Sequence, residues 1–136
     1  MSRCTRHLTS IIARLLWIDC ISALVAGVTL LALSAWLGPL LGLPLWVVIG
    51  EGLVNLAYGA FSFSLARRQR IPLHLVSRLA VLNMAWGVLC ATLAVGLLGT
   101  LTVFGTAHFI IGALYVGGLG LLEWRHREAL LTDHTD

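Results

Sequence analysis

Lysine is absent from this 136-residue chain: all nine basic residues are arginine. Charge of either sign is scarce, at 11% of residues where an ordinary soluble domain carries about 25%. Net charge is only +3, and the arginines cluster at the ends of apolar segments. No stretch is left to form a nucleic-acid-binding domain, so no nucleic-acid partner is expected. The three cysteines are Cys4, Cys20 and Cys90, with no Cys-x-x-Cys pair among them. Cys20 and Cys90 fall inside apolar runs and read as small packing residues, which excludes a disulfide framework.

Catalytic motifs are missing as well. There is no nucleophile-plus-base arrangement, no phosphate-binding glycine loop and no metalloprotease helix. Ser62 and Ser64 have no histidine at the same end of their own span. An enzyme is therefore not expected. Cofactors are not expected either. His74 sits near the inner end of its helix and His108 in the outer half of another, so the two cannot ligate one haem at matching depth. Four ligands at ordered spacing for structural zinc are lacking. His7, His126 and His134 lie in the tails and are expected to be solvated.

What fills the chain is apolar sequence. Hydrophobic residues make up 59% of it, with a mean hydropathy of +0.94. Four apolar stretches cover 11–37, 44–65, 75–98 and 101–122. A membrane-spanning helix needs about 20 mainly apolar residues. Backbone polar groups in lipid must be satisfied within the helix. The expected fold is all-α: a single domain over 1–136, a polytopic bundle of four transmembrane helices. The first stretch is too long for the apolar core of a signal peptide and contains Asp19, so it is read as a true span. Its partner is in the first place the lipid bilayer.

Arg3, Arg6 and Arg14 precede the first span. Arg67, Arg68 and Arg70 occupy the middle loop, with Arg78 just beyond, and Arg125 follows the fourth span. The first loop, 38–43, and the third, 98–100, carry none. The positive-inside rule then places both termini and the middle loop in the cytoplasm. Trp17 and Trp124 fall near the inner interface, Trp36 and Trp46 near the outer one, as an aromatic belt requires. The Arg67–Arg70 cluster reads as a topology anchor touching anionic head groups. Short connections predict antiparallel packing of consecutive helices. Small residues one turn apart (Ala23 and Gly27, Gly87 and Ala91, Ala113 and Gly117) let helices approach closely, within one bundle or in a homo-oligomer. Glu51 and Tyr58 in the second span match His108 and Tyr115 in the fourth, a trace of a duplicated two-helix unit.

Polar groups inside spans are costly and face the bundle interior. Asp19 and Glu51 are the two carboxylates expected there, and His108 is the one histidine well within a span. At about 1.5 Å rise per residue, Asp19 and Asn83 share an inner layer, and Glu51 and His108 an outer one. Glu51, Asn55, Tyr58 and Ser62 follow one helical face. Asp19, Ser22 and Thr29 share a face in the first span; His108, Gly112 and Tyr115 do so in the fourth. Two uses fit this interior. It can be a hydrogen-bond network that fixes helix register, with Asp19 alternatively pairing with Arg14. It can also be a ligand or proton site built from Glu51, Asn55, Tyr58, His108, Asp19 and Asn83.

An acidic residue early in the first helix (Asp19), a glycine-rich second helix with tyrosine (Gly50, Gly52, Tyr58) and Asn-x-x-Trp in the third (Asn83, Trp86) resemble small bacterial four-helix integral membrane proteins whose role is uncharacterised. The resemblance covers nearly the whole chain. It implies a bacterial inner-membrane location and a four-helix bundle, and brings no activity with it. Small multidrug-resistance exporters share the size and helix count, but their essential glutamate lies in the first helix, where this chain has Asp19. DoxX-like proteins share size and topology without matching motif residues. The first expectation for function is a non-enzymatic accessory protein that docks to a membrane protein partner. The alternative is a binding protein or proton-linked transporter for a small lipophilic solute, centred on Glu51.

Overall fold

The computed structural model describes residues 3–68 and 72–126, with side chains from Arg14 onward. The expectations for the side chains of Arg3, Cys4, Arg6 and His7, and for Arg70 and His134, lie outside the described residues. Those described form helices and connecting turns: α1 Arg3–Ala32, α2 Ser34–Leu41, α3 Leu45–Ala66, α4 Leu73–Gly96 and α5 Val103–His126. Four of the five are long and apolar enough to cross a membrane; within α1 the qualifying stretch is Arg14–Ala32. The outer surface is apolar, with Val103 83%, Trp46 75% and Leu114 74% exposed. Asp19, Ser62, Asn83 and Glu123 are turned inward and buried. This inverted pattern suits lipid, since a water-soluble monomer rarely shows so large an apolar surface.

Prolines set two helix starts. Pro44 and Pro72 hold extended backbone just before α3 and α4, where the missing N–H costs nothing. The first span differs from expectation. Residues 34–37 do not continue α1, and 38–43 is not simply a loop. The chain leaves the helix at Leu33 (φ −108°, ψ 15°) and re-enters it as α2. Gly42, at φ +72°, ends α2 in the left-handed region, which glycine adopts without steric cost. Thr102 anchors α2 to the start of α5. Its hydroxyl donates to the Leu40 carbonyl at 2.5 Å, and its N–H donates to the Leu41 carbonyl at 3.3 Å.

The long helices pack as two antiparallel pairs. In α1 and α3, Gly27 lies against Gly52 and Leu56, and Leu24 against Gly59. In α4 and α5, Gly87 lies against Gly117, and Gly120 against Ala80 and Asn83. Gly27, Gly87 and Gly117 thus serve contacts within the chain. The backbones of α3 and α4, although consecutive, approach each other at few points, so the expected neighbour packing fails for that pair. Their side chains still meet in an apolar cluster of Leu16, Leu65 and Leu79 at one end of the bundle. A larger cluster at the other end gathers Leu30, Leu41, Val48, Cys90 and Phe109. Between these clusters polar side chains meet across the two helix pairs.

Near the first cluster, Trp17 packs edge-on against Phe63 at 5.7 Å, and the Arg67 guanidinium lies 5.4 Å from the Phe63 ring centre. Trp36 and Trp46 are exposed on α2 and at the start of α3, at the opposite end.

Candidate functional site: a polar core between two helix pairs

Asp19 organises the inner layer. The Tyr58 hydroxyl donates to Asp19 Oδ2 at 2.6 Å, and the Ser62 hydroxyl donates to the same oxygen at 3.2 Å. Asn83 Nδ2 donates to Asp19 Oδ1 at 3.3 Å and to Glu123 Oε2 at 3.1 Å. One network therefore joins α1, α3, α4 and α5. Asp19, Ser62, Asn83 and Glu123 are all buried, none more than 3% exposed. Among the described residues no arginine or histidine forms an ion pair with Asp19 or Glu123. The Asp19–Arg14 pairing does not form: Arg14 is exposed, and the Asp19 carboxylate is taken by Tyr58, Ser62 and Asn83.

Glu123 corrects the sequence reading, which counted only Asp19 and Glu51 within the spans. Helix α5 runs on to His126, and Glu123 is 1% exposed. The signal was present: Glu123 continues the stripe His108, Gly112, Tyr115 at helical spacing. Its place in a Glu-Trp-Arg sequence, beside an arginine, made it look like a boundary residue.

The outer layer is a pair. His108 Nε2 lies 2.9 Å from Glu51 Oε1, with the Glu51 side chain 10% exposed. The second glutamate oxygen, Oε2, is buried with no hydrogen-bond partner, as is Glu123 Oε1. Leaving such an atom unpaired is expensive. The polar stripe on α3 thus divides. Glu51 turns to His108, while Tyr58 and Ser62 turn to Asp19. Asn55 sits between them and donates from Nδ2 to the Glu51 carbonyl at 2.9 Å.

Asp19 and Asn83 are 64 positions apart, Glu51 and His108 57 apart. Tyr58 and Tyr115 are also 57 apart. By these same offsets Gly87–Gly117 corresponds to Ala23–Ala60, one residue from the Leu24–Gly59 contact. Two of the residue pairs at these offsets, Asp19 with Asn83 and Glu51 with His108, meet across the centre.

Two chambers lie in this centre. The inner one, about 180 Å³, is lined by Asp19, Ser22, Asn55, Tyr58, Asn83, Trp86 and Tyr115 together with alanine, valine and leucine. The outer one, about 350 Å³, is lined by Thr29, Glu51, Asn55, Trp86, Cys90, His108, Gly112 and Tyr115 among apolar residues. They share Ala26, Asn55, Trp86, Tyr115 and Val116 as a common wall. All six sequence-predicted site residues border one chamber or both. Trp86 and Tyr115, the aromatic wall, were not among them. Tyr115 had a signal, since it shares the interior helical face of His108 and Gly112; the chemistry of Trp86 alone does not separate it from lipid-facing aromatics. Val54, Leu82 and Tyr115 on the rim of the inner chamber are between 44% and 50% exposed. All three lie mid-helix, so the opening is lateral. Among the described residues no cluster of histidine, cysteine or carboxylate side chains is suited to a metal ion.

No protein-family model, no curated protein and no solved structure matches the chain.

Proposed function

We propose that this is an integral membrane protein that binds a small lipophilic solute between its two helix pairs. The observation that carries the reading is the pair of chambers: apolar and aromatic walls enclosing a few converging polar groups. Ligand sites are built in this way, and polar groups at membrane depth mark them. A register-fixing network alone would close around Asp19 and Asn83 and would need no adjoining cavity. The Glu51–His108 pair adds a group that can exchange a proton when the solute enters or leaves, the element a proton-linked transporter needs. The arginine distribution supports an orientation with both termini cytoplasmic, and a bacterial inner-membrane setting is what the resemblance implies.

Native mass spectrometry of the full chain released from nanodiscs tests this. The expected result is a reproducible adduct of a small lipophilic compound, lost in Tyr115→Ala and Glu51→Ala. A chain carrying only bulk lipid, indifferent to both changes, would overturn the reading. It would return the protein to an accessory role, with the polar core as structural glue.

A further inference from the structure

We infer that the solute is a lipophilic amine, bound as its ammonium ion with the charged nitrogen at Glu51. The inference rests on the solute-binding reading above and adds the chemical class.

Two residues that border the outer chamber, Glu51 and Asn55, carry an acceptor that receives no hydrogen bond among the described residues. Glu51 Oε2 is buried and receives no hydrogen bond. Asn55 commits Nδ2 to the Glu51 carbonyl, and among the described residues no donor reaches its amide oxygen. A ligand that satisfies this wall must donate hydrogen bonds, and a buried carboxylate oxygen favours a donor with positive charge.

Asp19 is a poor alternative anchor. Both of its oxygens already accept, from Tyr58 and Ser62 on one side and Asn83 on the other. Among the described residues His108 is the sole basic side chain lining either chamber, and it is held on the other oxygen of Glu51. No arginine among the described residues lines either chamber to receive a carboxylate or phosphate.

The walls fit the rest of such a molecule. Trp86 and Tyr115 face both chambers, and aromatic faces attract an ammonium through their quadrupole. The apolar body extends along them into the inner chamber. The mid-helix rim at Val54, Leu82 and Tyr115 opens sideways, so an amine dissolved in the bilayer reaches the site without crossing water.

Three probes of one shape and different head groups decide the matter: 4-phenylbutylamine, 4-phenylbutanol and 4-phenylbutyrate. Binding to the full chain in nanodiscs is followed by native mass spectrometry and by the shift in thermal unfolding. The amine should bind at least about tenfold more tightly than the alcohol, the worth of one charge-assisted hydrogen bond. The butyrate should bind weakest. Glu51→Gln should erase the preference while leaving alcohol binding in place, and this retained binding shows that the variant is folded. His108→Gln, which keeps the carboxylate, should preserve the preference. Equal binding of amine and alcohol would overturn the inference and leave the solute-binding reading standing. No binding of any probe would count against both. Preference for the butyrate would overturn the assignment of charge.

Discussion

Asp19 of α1 and Asn83 of α4 are 64 positions apart and are joined by a hydrogen bond of 3.3 Å. The same amide nitrogen reaches Glu123 of α5. The bond is one of the polar ties between the two helix pairs, beside the Glu51–His108 contact and the two apolar clusters. Within each pair small residues let the helices approach closely, and the chambers lie between the pairs. What Asp19 receives from Tyr58, Ser62 and Asn83 therefore holds the site's walls in register.

Replacing Asp19 should loosen the whole bundle. Asp19→Ala leaves three donors without their acceptor, at a cost of about 2 kcal/mol once partial re-pairing within a membrane is allowed for. Asp19→Asn keeps one acceptor oxygen and should cost less. Equilibrium unfolding in bicelles gives both values. Identical curves for wild type and Asp19→Ala would show that the network contributes nothing to stability.

The Glu51–His108 contact is open to a double-mutant cycle with Glu51→Gln and His108→Gln. Polar contacts between membrane helices couple by about 0.6 kcal/mol on average, with a maximum near 1.7. A pair with the Glu51 side chain only 10% exposed should lie towards the upper end, about 1–1.7 kcal/mol. Additive effects of the two changes would mean that the contact is not maintained in the bilayer.

Glycines divide sharply by what surrounds them. A Cβ at Gly87 would stand 2.8 Å from the Gly117 Cα, and one at Gly105 would strike the Leu41 carbonyl. Both obstacles are backbone and cannot rotate away. Gly87→Ala and Gly105→Ala should each destabilise by about 1–3 kcal/mol. Gly50 has nothing within 4 Å of the added atom. Gly50→Ala should be neutral, or stabilising by up to about 1 kcal/mol through helix propensity. Thermal unfolding of the three variants in detergent provides the ranking. Equal melting temperatures would contradict the helix contacts described.

The proposed topology predicts that a fluorescent-protein fusion at the C-terminus is bright and that an alkaline-phosphatase fusion there is inactive. A phosphatase inserted at Thr100, in the arginine-free third loop, should be active. The opposite pattern would invert the orientation read from the arginines.

Much of the fold was legible before any coordinates, because membrane helices declare themselves locally. Length and hydropathy mark each span, and helical spacing marks which polar residues share a face. The two layers, Asp19 with Asn83 and Glu51 with His108, followed from counting residues along rods of known rise. Legibility ended where a second element had to be known. The stripe of Glu51, Asn55, Tyr58 and Ser62 looks like one site. It serves two layers, because the partners of Tyr58 and Ser62 sit on α1 and that of Glu51 on α5. The break at Leu33 has no proline or glycine to announce it. What fixes α2 is its docking onto Thr102 and Gly105.

By itself the sequence determined that this chain is a bundle of four long apolar helices with its polar residues turned from lipid, since the cost of unpaired backbone and side-chain polar groups there acts on every residue wherever the chain folds. Only the tertiary structure decided which helices pair, that Glu123 joins the buried network, and that two chambers remain between the pairs. Those are properties of surfaces meeting across tens of residues of chain, and no local pattern contains them.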